Sequence, residues 1–86
     1  MAEPIDARMA AKLRSNLTIE HLEIVDTSAN CGSSFALVIV SPDFARKMTL
    51  ARHKLVNQIL AEEITQLHAF SQKTLTPEQW AKERGA

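Results

Sequence analysis

Phe35-Ala36-Leu37-Val38-Ile39-Val40 is the stretch that decides the fold. It is an unbroken apolar run ending in three β-branched residues, and it has no polar face. Apolar residues on both faces suggest a central strand. Immediately before it lies Thr27-Ser28-Ala29-Asn30-Cys31-Gly32-Ser33-Ser34, small and polar throughout, which predicts a loop. Earlier still, from Ile19 to Asp26, His21, Glu23 and Val25 alternate with Leu22 and Ile24. That alternation predicts a half-buried strand, and the two strands then form an antiparallel hairpin with a long tip. From about Pro4 to Leu17, Ile5, Met9, Leu13 and Leu17 recur at four-residue intervals among alanines, the spacing of an amphipathic helix.

On the other side of the central strand, Ser41-Pro42 ends the run, and Asp43-Phe44-Ala45-Arg46 reads as a helical turn. Thr49 is the expected N-cap of a helix reaching about Ile64. Val56, Leu60 and Ile64 form its apolar side, and Glu62 and Glu63 face solvent. His68 to Lys73 alternates again and predicts a third strand. Thr76-Pro77-Glu78-Gln79 carries a cap, a first-turn proline and a capping-box glutamine, so a last helix starts there, packed through Trp80. The order is αββααβα, an α+β domain with a three-stranded mixed sheet and helices packed on it. The connection from strand two to strand three is long enough for a crossover, which favours parallel pairing. Parallel pairing brings the loop that holds Cys31 and the strand start at His68 to the same end of the sheet.

The 86 residues support one domain over 1–86, with a core from about 5 to 84. One cysteine excludes a disulfide framework, and one Cys with three His shows no zinc-finger spacing. Ten basic residues balance ten acidic ones, against binding driven by phosphate neutralisation. No segment reaches the roughly 18 apolar residues of a membrane span. The N-terminus lacks the pattern of a secretory signal. A lone thiol suits a reduced compartment, so the cytoplasm is the expected location, with the nucleus as a second. A monomer is expected for the isolated chain.

Cys31, His68 and the basic cluster admit two readings each. Cys31 sits in a loop too polar for core, as a ligand or redox thiol or as an incidental loop residue. His68 opens a strand, as a surface side chain or, together with Cys31, a metal ligand. His53 lies on an apolar helix face and reads as a packed histidine, and His21 as solvent-facing. Arg46, Lys47, Arg52 and Lys54 form either a solvated basic face or a docking patch for an acidic partner or a glutathione carboxylate. The chain has no G-x-S-x-G elbow and no glycine-rich phosphate cradle, since its glycines are Gly32 and Gly85 alone. Enzymatic activity of its own is therefore not expected.

Several blocks resemble the BolA family over roughly residues 8 to 84. They are Arg52-His53-Lys54-Leu55-Val56-Asn57 with Leu60-Ala61-Glu62-Glu63, the run from His68 to Trp80, and Ile39-Val40-Ser41 followed by Phe44. The likeness is strongest to the eukaryotic cytosolic branch, which carries a cysteine in the loop before strand two, where Cys31 stands. The resemblance implies a fold like a type II KH domain. It also implies a [2Fe–2S] cluster shared with a monothiol glutaredoxin and glutathione, in cluster maturation, trafficking or iron regulation. His68 maps onto the family's C-terminal histidine, so Cys31 and His68 are the implied metal ligands. Two side chains supply half of the four ligands such a cluster takes. One position departs from the family pattern: Arg46 stands where a glycine is usual, and a more regular turn is expected there. The alternative function is a nucleic-acid-binding regulator that uses the basic helix around Arg52, although the G-x-x-G loop of a true KH domain is absent.

Overall fold

The computed structural model describes residues 3–28 and 32–85. Cys31 lies outside the described residues. Helix α1 spans Ile5–Asn16, strands β1 and β2 span His21–Asp26 and Ser34–Val40, and a short 3₁₀ turn covers Pro42–Phe44. Helices α2 and α3 follow at Thr49–Ile59 and Ala61–Ile64, then β3 at Ala69–Leu75 and α4 at Pro77–Glu83. The sheet order is β1-β2-β3, so β2 is central as its two apolar faces predict. β1 pairs antiparallel with β2, and β3 pairs parallel with it. The sheet is mixed, and the fold is α+β.

Every second residue of β2 faces the main helical layer. Phe35, Leu37 and Ile39 are buried with Met9, Leu13 and Leu17 at the N-terminal helix, with Phe44 of the turn, and with Val56 and Leu60. Leu22 and Ile24 of β1 and Phe70 of β3 pack against the same cluster. Burying a side chain of this size contributes about 1.5–3 kcal/mol, which matters in a chain this short. The opposite face is covered only at one end. There Val40 and Leu75 are buried, and Trp80 of α4 stacks on His21 with ring centroids 4.6 Å apart. At the other end of that face Val25 is 53% exposed.

Four local expectations are corrected. The helix after Thr49 is not continuous to Ile64: it breaks at Leu60, whose ψ of 16° leaves the helical range, and restarts at Ala61. Its N-cap is Met48, which has no capping side chain, and Thr49 is the first helical residue. Glu63 is not solvated; it is 1% exposed and paired with Lys12 at 2.7 Å and with Arg8 at 3.8 Å. Glu63 follows Val56 by seven residues and Leu60 by three, which puts it on their buried face, where its carboxylate meets Lys12 and Arg8 of α1. His21 is not simply solvent-facing, being held between Trp80 and the Glu23 carboxylate.

Candidate functional site

The parallel register sets the site. A parallel strand bonds its neighbour through alternate residues. At the entry of β3, the Ser33 carbonyl accepts from the His68 N–H at 2.6 Å and from the Ala69 N–H at 3.3 Å. Residues 35 positions apart are thereby joined at one end of the sheet. β3 begins at Ala69, so His68 is the last residue of the connection and not the first of the strand. Its side chain is exposed, and it makes no side-chain hydrogen bond among the described residues.

The loop before β2 is closed at its neck by Asp26, a residue the sequence reading passed over. One carboxylate oxygen accepts from the Ser28 N–H at 2.8 Å and from the Ser28 hydroxyl at 2.5 Å; the other accepts from the Gly32 N–H at 3.1 Å. The Ser28 hydroxyl, in turn, accepts from the Ser33 N–H. Asp followed two residues later by Ser is an Asx-turn signal that would have found this role. The Ser28 hydroxyl and N–H, helped by the Gly32 N–H, hold the Asp26 carboxyl below its ordinary pKa, against the upward push of burial. Gly32 has φ +71°, the left-handed region where glycine carries no Cβ penalty. Two hydrogen-bond systems therefore fix where the chain leaves the segment that contains Cys31. One runs to Asp26 and one to the backbone of His68.

The basic group does not hold together. Arg46, Lys47 and Lys54 are exposed. Arg52 is only 8% exposed and is removed from any docking face. Its guanidinium donates to the Lys47 carbonyl at 2.8 Å, the Thr74 carbonyl at 3.2 Å and Gln79 Oε1 at 2.8 Å, and it lies 5.9 Å from the centre of the Phe44 ring. Arg52 is a tie between α2, β3 and α4, as a rigid multi-donor fork can be. Arg46 has φ +64°, so the turn keeps the left-handed conformation that a glycine would take. The expected more regular turn is not formed. Phe44 is fully buried, and Trp80 is half-buried on the sheet. His53 is half-buried and lines a groove beside β3, rather than sitting sealed in the core.

Among the described residues, no three His, Cys, Asp or Glu side chains gather closely enough to hold a metal ion. A family model described as BolA-like protein matches residues 13–79. The chain belongs to the BolA family. It is 54% identical over 74 residues to BolA-like protein 2 of Mus musculus, spanning 85% of this chain and 86% of that one. Protein BOLA2 of Arabidopsis thaliana is 46% identical over 74 residues, spanning 85% and 80%. The relatives belong to the eukaryotic BolA2 branch. Among solved structures, a bol-like protein from Babesia bovis aligns with a TM-score of 0.82 at 38% identity, covering 98% of this chain and 95% of that one. Of the residues expected as metal ligands, the structure describes His68 alone, with its side chain exposed.

Proposed function

We propose that this chain is a non-enzymatic partner that shares a [2Fe–2S] cluster with a monothiol glutaredoxin and glutathione, in cytoplasmic cluster maturation, trafficking or iron regulation. Cys31 and His68 would be its two ligands, and the partner's thiolate and glutathione would supply the rest. The observation that supports this reading is the hydrogen bond from the His68 N–H to the Ser33 carbonyl. It holds the imidazole-bearing residue at the exit of the loop that contains the cysteine. The exposure of His68 suits a ligand that must meet a second protein. When bound, a cluster with imidazole in place of one thiolate is less negative and has a higher potential. Arg46, Lys47 and Lys54 remain as cations for the acidic surface or carboxylates of a docking partner. The basic-helix reading for nucleic acid loses its central residue, because the Arg52 guanidinium is committed inside the fold.

The test is to combine the chain with a monothiol glutaredoxin, glutathione, ferrous iron and sulfide, and to record visible absorption and circular dichroism. The spectrum is expected to differ from that of the glutaredoxin's own cluster-bridged dimer. His68→Ala should abolish the difference, and Cys31→Ala should weaken the cluster or change its bands. Wild-type spectra from both variants would refute the ligand assignment.

A further inference from the structure

β3 is an edge strand, and one stretch of its free edge lines a groove. The Ala69 N–H and the Leu75 carbonyl both bond toward β2. Alternation along a parallel ladder then turns the backbones of residues 69, 71, 73 and 75 inward. The N–H and C=O groups of Phe70 and Gln72 point outward, away from the sheet. Thr74, the next outward residue, has its carbonyl occupied by Arg52. The open edge is therefore confined to Phe70 and Gln72.

Facing this edge, His53 and Asn57 of α2 and Ala61 and Ile64 of α3 make the second wall of a groove of about 560 Å³. The Gln72 side chain donates to Asn57 Oδ1 at 2.8 Å, while its own Oε1 is buried without a hydrogen-bond partner. A buried acceptor left unsatisfied is costly and uncommon. Phe70 and Gln72 both line the groove, and their outward backbone N–H and C=O groups have no protein partner among the described residues.

We infer that this groove takes an extended peptide segment of a partner protein, which pairs with β3 at Phe70 and Gln72 as a fourth strand. An edge strand beside a helix wall is the geometry of strand addition: main-chain bonds hold the segment, and alternate side chains enter the groove. Ala61, Ile64 and Phe70 offer an apolar seat, and His53 and Asn57 offer polar partners. Nucleic acid fits the groove poorly, since neither lysine nor arginine lines it to meet phosphate. The inference rests on the strand edge and not on Cys31 or His68, so it stands or falls apart from the cluster reading.

The experiment pans a display library of random short peptides against the full chain, then measures amide exchange with each enriched peptide bound. Slowing at the Phe70 and Gln72 amides of about tenfold or more is expected. The Ser71 and Lys73 amides, already bonded to β2, should barely change. Ala61→Trp, which fills the groove, should weaken peptide binding by about tenfold or more. The exchange pattern is read on the unmodified chain, so it decides the matter even if that variant fails to fold. Failure to enrich any peptide, or slowing on other amides, would overturn the inference. A single-stranded oligonucleotide that produced the same alternating pattern would overturn the choice of occupant.

Discussion

Arg46 shows what a single backbone angle costs. A non-glycine residue in the left-handed region carries a penalty of about 1–2 kcal/mol, part of which glycine returns through its greater freedom when unfolded. The Arg46 side chain makes no hydrogen bond among the described residues to offset this. Arg46→Gly is therefore expected to stabilise the fold by about 1 kcal/mol, read from the urea midpoint. Glu63 makes the opposite case, a charge that the fold has accommodated. Burial pushes its carboxyl up, but the Lys12 hydrogen bond and charge, a backbone N–H and Arg8 outweigh this and bring it below the ordinary 4.5. Its stabilising effect is thus present above the unfolded value and is lost as pH falls through the lower folded value. Lys12 is shifted upward from 10.5, chiefly by its hydrogen bond to Glu63. Its effect is complete below 10.5 and fades as pH rises through the higher folded value. Glu63→Gln should flatten the acid limb of the stability curve and lower the plateau between the two limbs, as followed by thermal melts across pH.

Between elements, Arg52 is the chief connector. It bonds the chain before α2, the end of β3 and the capping glutamine of α4. Arg52→Leu strands the buried Thr74 carbonyl and frees Gln79, and should cost about 3 kcal/mol in chemical denaturation. Arg52→Lys should recover only part of that, since an ammonium lacks the planar fork. At α4 the capping box is complete, with the Thr76 hydroxyl accepting from the Gln79 N–H and Gln79 Oε1 accepting from the Thr76 N–H. Thr76→Ala should lower stability by about 1 kcal/mol and loosen α4 before the rest of the fold. Gln79 serves both Arg52 and the cap, so these two variants should not be additive.

At the scale of the whole molecule, most of the architecture was legible in the sequence. The two-faced run from Phe35 to Val40 pointed to a central strand, and the length of chain between Val40 and His68 favoured a crossover with parallel pairing. Those two facts together bring the loop before β2 and the start of β3 to one end of the sheet; the pairing of Ser33 with His68 is a matter of register, which the structure adds. Relations that need tertiary contact were not legible. Glu63 stands seven residues after Val56 and three after Leu60, so helical spacing puts it on their buried face. Its acidic side chain suggested solvent, and only the tertiary pairing with Lys12 and Arg8 shows how that charge is accommodated. Arg52 looks like one cation among four until Thr74 and Gln79 fold back onto it. The Asp26 neck could have been read from Asp26 and Ser28, because that bond is local. The site is thus half legible: the backbone convergence follows from topology, whereas the loss of Arg52 from the basic face follows from packing.

The Trp80–His21 stack gives the chain a built-in optical reporter. Its single tryptophan rests against the first strand, although it belongs to the final helix. Emission from that indole therefore senses whether the opening and closing portions of the polypeptide are in contact, without any added dye. A colour shift that precedes the loss of sheet signal would mark the tail peeling away while the remaining layers stay assembled.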